Sequence, residues 1–335
     1  MLPKSRSVVD IHAHIYPLGY LRELTDPQSP VVAVPDGEDF DLMIRGHRFV
    51  RVTPAFYDAD VRLRSMDAAG VTTQVLSLSP PMVYWADEER AVRLSRIVND
   101  ELATFAARHP DRFIAGGTLP LQTPDAAVEE IRRIVGMGHR MVAFPTHLGG
   151  VDLDDPSLDP VYAELEAHDL PIFVHPYMPR VPESLKQDRF DPLIGFPSET
   201  GFAALRVISG GVLDRHPGLR FCWSHLGGTL PFIADRFTSL SRLGAEDFPG
   251  IGGNPERPHE EYLARFWYDL VVYSDRTLRF GFEFAGSDHL MFGTDCPFFS
   301  DASALMVGLI DDATWMPESQ REAVFANAER FLRPV

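Results

Sequence analysis

Lysine is nearly missing from this chain: Lys4 and Lys186 are the only two in 335 residues. Neither stands in an apolar, strand-like run, so no buried lysine with a shifted pKa is on offer for a Schiff-base mechanism. Cysteine is as scarce. Cys222 and Cys296 give no disulfide framework and read as packing residues near two strand ends. No apolar run approaches the length of a membrane span, which excludes a membrane partner of the spanning-helix kind. The start, Met1 to Arg6, leads straight into a strand without the apolar core of a signal peptide, so a cytoplasmic location is expected. Positive charge is also short: the formal net charge is -17 and no Lys/Arg run breaks it, which argues against nucleic acid. With 45% hydrophobic and 24% charged residues, the chain can bury a large core.

What the sequence has instead is histidine at the ends of apolar runs. Ser7-Val8-Val9-Asp10-Ile11-His12-Ala13-His14 closes the first run with two imidazoles, and the alternation of a strand puts both on one face. Two buried histidines on one face need partners there, and a divalent cation satisfies both. Leu170 to His175 and Leu219 to His225 end two later runs in the same way, and His289 to Asp295 ends the last with a carboxylate. Each of the three later groups, His175, His225 and Asp295, lies within two residues of a Pro or Gly breaker, so all are expected, with His12 and His14, at the carboxyl ends of strands.

Four further runs complete the count: Thr72 to Leu78, Arg112 to Leu119, Arg140 to Pro145 and Phe266 to Val272. Helical patterns lie between, over Asp60 to Ala69, Asp87 to Arg108, Thr123 to Val135, Pro156 to His168, Ser198 to Arg215 and Pro258 to Arg265. Eight strands alternating with helices predict one (β/α)8 TIM barrel over residues 1–335, in which the carboxyl ends of the strands converge on a single mouth.

The 45 or so residues between His14 and Asp60 exceed an ordinary loop. Asp41 to Arg45 and Arg48 to Val52 flank Gly46-His47 and predict a small β-hairpin insertion after strand 1, a subdomain over 18–56 that overhangs the mouth. Its arginines could meet an anionic substrate there. The Pro-punctuated stretch from Pro176 to Pro197 is expected to be a pocket wall, with Tyr177, Phe190 and Phe196 offering apolar contact; Phe298 and Phe299 offer the same after Asp295. His109 and His216 each precede a Pro between a helix end and the next strand, which a structural role at the bottom face explains. His147 could touch the metal ligands from behind or touch the substrate.

His12, His14 and His175 with Asp295 make a set of three nitrogens and one oxygen that suits Zn2+, with Mn2+ or Fe2+ open. Without a strand-borne lysine to bridge two metals, the centre is expected to be mononuclear.

These motifs together, D-I-H-A-H, H-P after strand 5, S-H-L-G-G after strand 6 and G-T-D-C-P after strand 8, resemble the amidohydrolase superfamily, and in it the aminocarboxymuconate-semialdehyde decarboxylase branch. The likeness extends over Asp60 to Val71, Gly117 to Pro120 and Gly210 to Leu213. It implies zinc on His12, His14, His175 and Asp295, with His225 as the acid/base that activates the zinc-bound water. It also implies an insertion arginine gripping the substrate carboxylate. The family places that arginine directly after a Phe, whereas here Phe49-Val50-Arg51 displaces it by one, so Arg51 is the nearest match and Arg48 its rival. Phe298 matches an aromatic of the family; Tyr177 stands where the aminocarboxymuconate enzyme has Trp, which points to a different substrate. The expectation is a metal-dependent, non-oxidative decarboxylase of an unsaturated or aromatic carboxylic acid, working as a homodimer. The alternatives are a hydrolase of a lactone, ester, amide or C–C bond on the same site, and a barrel that keeps its metal without catalysis.

Overall fold

In a computed structural model, residues 6–180, 190–243, 247–299 and 301–333 are described. Lys4 and Lys186 fall outside them, as does the middle of the expected pocket wall.

The elements run in chain order as β1 (Val9–Ile15), α1 (Leu18–Glu23), β2 (Val31–Asp36), β3 (Asp39–Ile44), β4 (His47–Val52), α2 (Ala59–Ala69), β5 (Thr73–Leu78), α3 (Glu88–Arg108), β6 (Phe113–Thr118), α4 (Pro124–Gly136), β7 (Met141–Pro145), α5 (Asp159–Ala167) and β8 (Ile172–His175). After these come α6 (Phe196–Ser209), α7 (Val212–Arg215), β9 (Phe221–Trp223), α8 (Leu230–Leu243), α9 (His259–Leu263), β10 (Trp267–Asp269), α10 (Asp275–Ala285), β11 (Leu290–Met291), α11 (Ala302–Asp311) and α12 (Glu318–Phe331). Eight strands pair in parallel in the order β1-β5-β6-β7-β8-β9-β10-β11. Backbone bonds from Ile11 to Phe292, from Asp295 to His12 and from His14 to Cys296 bring the last segment back against β1, which makes the sheet a (β/α)8 TIM barrel.

Two apolar layers hold it. Inside the barrel, Val9, Ile11, Val75, Met141, Phe173, Cys222, Trp267 and Met291 pack on one another, and Phe331 and Leu332 at the end of α12 join them. Outside, the opposite strand faces pack on the helices in a larger cluster with Ile15, Leu76, Val142, Ile172, Trp223 and Leu270. Strands buried on both faces read as continuous apolar runs, which is why the sequence shows them plainly.

Helix ends follow local chemistry. Asp58 caps α2 through the Val61 amide and Asp87 caps α3 through the Arg90 amide, while Gly70 closes α2 in the left-handed region at φ 74°. The expected helix over Ser198 to Arg215 is two helices, because Gly210 and Gly211, the latter at φ 67°, end α6 and restart the chain as α7. The helices α1, α8, α10, α11 and α12 have no counterpart among the expected segments. The last two strands are shorter than their apolar runs suggest: the ladder stops at Asp269 and at Met291. Beyond Met291 the backbone turns to bond β1 and side chains, and Asp295 at φ 58° cannot continue a strand.

The insertion holds three strands, not two. β2 pairs antiparallel with β3, and β3 with β4. Val31, Ala33, Leu42 and Val52 form its buried face. A bulge follows Leu42, which faces Val50, while Met43 already faces Arg48.

His139, just beyond α4, is 4% exposed and neither ring nitrogen has a partner among the described residues. Burial pushes its imidazole from 6.5 down to about 4. Between those values the unfolded chain binds the proton that the folded chain refuses, so stability falls as pH drops, by about 3 kcal/mol at the lower end. His139→Leu is therefore expected to flatten the pH dependence of urea unfolding from pH 6.5 to 4. An unchanged slope would assign the acid loss to other groups.

Candidate metal centre

The strand ends bring the histidines together. His12 and His14 project from β1 into one space, their Nε2 atoms 3.0 Å apart, and the His14 and His175 rings lie 4.7 Å apart edge to face. Asp295 Oδ1 is 3.1 Å from His14 Nε2 and 3.3 Å from His12 Nε2. One ligand atom each from His12, His175, His225 and Asp295 falls within 4.8 Å of the others. His12, His14 and His175 are all buried, and His225 is 17% exposed at its side chain.

The far side of each ring decides which nitrogen faces inward. His12 Nδ1 donates to Asp269 Oδ2 at 2.6 Å, and His175 Nδ1 donates to the Pro176 carbonyl at 2.9 Å. With those protons committed, each Nε2 turns a lone pair into the cluster. Two donors held at 2.0–2.2 Å from one ion stand roughly 2.8–3.6 Å apart for angles between a right angle and the tetrahedral one, and the 3.0, 3.1 and 3.3 Å separations among His12, His14 and Asp295 fall in that range. Asp295 Oδ1 is buried with no hydrogen-bond partner in proper geometry among the described residues. Donors crowded with their lone pairs converging and a buried carboxylate oxygen unsatisfied fit a divalent cation.

Two carboxylates favour a proton on His12: burial pushes it down, but Asp295 and Asp269 more than reverse this, to about 10, so a divalent cation would displace the Nε2 proton as it binds. Burial and the neighbouring imidazoles hold His175 well below its ordinary value. Against the burial penalty, the close imidazoles of His12, His14 and His225 keep Asp295 well below the usual carboxylate range.

Backbone strain gathers in the same place. His225 (φ 53°), Leu226 (φ 57°) and Asp295 (φ 58°) are all left-handed, a cost that structures keep where a side chain must be aimed. Gly228 (φ 63°) lets that turn pass: a Cβ there would stand 2.0 Å from the Pro197 carbonyl oxygen. At Gly293 a Cβ would meet the Cβ atoms of His12 and Asp269 at 3.1 Å each, so the glycine allows the last strand to run close against both.

Other expected residues divide. The Phe298 ring lies 5.6 Å from His14 and 5.4 Å from Phe56, edge to face. Tyr177 is buried two residues after His175 and packs on Tyr84 at 5.6 Å and His147 at 5.8 Å. Phe196 is 6.3 Å from the His175 ring, while Phe190 and Phe299 are exposed. His109 packs on Phe113 and His216 bonds Asp159 at 3.3 Å, both away from the cluster.

Arg51 and Arg48 are not brought to the cluster. Arg51 pairs with Asp36 and Asp39 at 2.8 Å and with Asp41 at 3.3 Å, and Arg48 lies 3.5 Å from the same Asp41. Register supplies the reason. Arg51 faces Asp41 and, after the bulge, Arg48 faces Met43, so both lie on the face opposite Leu42, Val50 and Val52. Asp269 was not among the expected residues, although a carboxylate inside the run Phe266 to Val272 was a signal that could have found it.

A cavity of about 600 Å³ lies elsewhere, between α8 and α10 on the outer side of β10, lined by Phe266, Tyr268, Phe280 and Glu283 among others. It shares no residue with the histidine cluster.

An eight-stranded parallel barrel whose mouth gathers four imidazoles and an aspartate defines a class: a barrel enzyme with a candidate metal centre. The amidohydrolase family model matches residues 9–333, and the chain belongs to that family. It is 33% identical to the 2-amino-3-carboxymuconate-6-semialdehyde decarboxylase of Dictyostelium discoideum, over 87% of this chain and 81% of that one. It is also 33% identical to the γ-resorcylate decarboxylase of Rhizobium radiobacter, over 71% of this chain and 76% of that one. The apo structure of the IDCase of Metarhizium anisopliae superposes with a TM-score of 0.89 at 28% identity, covering 99% of this chain and 98% of that one. Within the amidohydrolases, the chain thus falls on the branch of the aminocarboxymuconate-semialdehyde decarboxylase kind.

Proposed function

We propose that this protein is a metal-dependent, non-oxidative decarboxylase of an unsaturated or aromatic carboxylic acid, with zinc on His12, His14, His175 and Asp295 and with His225 as acid/base. The observation that carries this reading is the placement of His225. Its ring lies 5.1 Å from His12 and 5.2 Å from His175, its Nε2 is 3.6 Å from Asp295 Oδ2, and its buried Nδ1 has no partner among the described residues. An imidazole beside the donors that is tied to no structural bond on Nδ1 is suited to moving a proton. When bound, the metal supplies Lewis acidity and an acidified water for that histidine to act on.

The protein's own residues do the rest. Phe298, held edge to face by the buried Phe56, offers an apolar ring beside His14, against which a planar acid can lie. His225 delivers a proton to the carbon that bears the carboxylate. The bond to that carboxylate then breaks, its electron pair returns to the conjugated system of the ring or chain that protonation had drawn on, and carbon dioxide leaves. The relatives, named as decarboxylases of unsaturated and aromatic acids, support this chemistry. The outward Arg51 gives no support to a carboxylate grip by that residue within its own chain.

The test is elemental analysis of the purified protein together with CO2 release from γ-resorcylate, 2-amino-3-carboxymuconate semialdehyde and related acids. About one zinc per chain and CO2 as product are expected. A new carboxylate formed with consumption of water would support a hydrolase instead, and a protein that binds no divalent metal would remove the reading.

A further inference from the structure

We infer that Arg62, a buried guanidinium on α2, is a positioning residue that holds the His12 to His14 segment of β1 in place from beneath. The inference rests on the metal-centre reading above. Arg62 is 2% exposed. Its NH2 donates to the carbonyls of His14 and, at 3.0 Å, of Ala55, and its NH1 donates to Gln74 Oε1 at 3.0 Å. One planar fork thus ties three segments: the strand with the histidines, the exit of the inserted sheet and β5.

Gln74 passes the connection on. Its Nε2 donates to Asp10 Oδ2 at 3.0 Å. Asp10, fully buried, also accepts from the His12 amide at 3.1 Å, the Thr294 amide at 3.1 Å and Thr294 Oγ1 at 2.6 Å. Through this chain the main chain on both sides of the H-x-H motif is held, His12 at its amide and His14 at its carbonyl. The neighbour of Asp295 is held by the same carboxylate.

A buried charge is costly, and well-packed apolar residues of similar volume often serve stability as well or better. Arg62 is therefore poorly explained as filling. Its five fixed donors, which neither Lys nor Met reproduces, suit the holding of carbonyls from separate segments. Metal donors must sit within roughly 0.5 Å of their working positions, and a main chain fixed at both ends supplies that.

Arg62→Met and Arg62→Lys test the inference. In Arg62→Met, zinc affinity, measured by competition with a chromogenic chelator, is expected to fall roughly 10–100-fold, the range for residues that orient ligands. In the metal-free protein, amide hydrogen exchange is expected to quicken over 9–15 but not over 172–175. Arg62→Lys keeps the charge and most of the volume, so it carries the test if Arg62→Met does not fold; a single ammonium cannot fork, and the same losses are expected. Wild-type affinity and wild-type exchange in a folded variant would overturn the inference. A wild-type protein without zinc affinity would instead overturn the metal-centre reading, and the exchange over 9–15 would still decide whether Arg62 clamps the strand.

Discussion

Replacing His225 by asparagine is expected to leave about one metal ion per chain and to cut turnover by roughly 10²–10⁴-fold, the usual share of a positioned acid/base. Asparagine is the informative substitute for a local reason. His225 sits at φ 53°, and Asn is among the few residues that enter the left-handed region readily. The turn over His225 to Gly228 is thus expected to keep its shape while the proton carrier is lost. The measurement pairs metal content with single-turnover CO2 release, because only the pair separates the two roles that the geometry allows. His225 is one of the four residues whose ligand atoms lie within 4.8 Å of one another. If the variant lost its metal, His225 would be a ligand, and the acid/base would have to be sought again. If it kept both metal and rate, the histidine would be neither.

The barrel was legible in the sequence because a strand buried on both faces is an uninterrupted apolar run, and a histidine or aspartate at its end stands out from it. That logic placed His12, His14, His175, His225 and Asp295 at one mouth without any knowledge of the pairing order. It failed where the informative residue lay inside the run. Asp269 precedes Leu270, Val271 and Val272, so the run looked like one strand through to Val272, whereas the ladder ends at Asp269. The arginines of the insertion failed for a different reason. In a regular strand Arg48 and Arg51, three apart, would point to opposite faces; the bulge after Leu42 puts both on one. A bulge is settled by packing between strands, here by Leu42 and Val52 against the core, and nothing local to Phe49 announces it. Arg62 was hidden for a third reason: nothing in the helical pattern says that a charged residue beside Arg64 is the buried one.

Asp269→Asn is the second substitution with a large expected effect. Asp269 and His12 are both fully buried at their side chains and bonded at 2.6 Å, and the carboxylate also accepts from the amides of Leu226 and Val271 at 3.3 and 3.1 Å. Removing one member of such a pair costs about 3–5 kcal/mol, so urea unfolding of the metal-free protein is expected to shift by that amount. The effect on the metal is separate. An asparagine whose amide nitrogen faces Nδ1 favours the other tautomer of His12, with the proton on Nε2, where the lone pair is required. Metal affinity is expected to fall roughly 10–100-fold, and the turn that carries His225 loosens as the bond from the Leu226 amide weakens. Measuring stability with and without zinc separates the two contributions: a loss equal in both states would make Asp269 a packing residue, whereas a larger loss with zinc present assigns it to the orientation of His12.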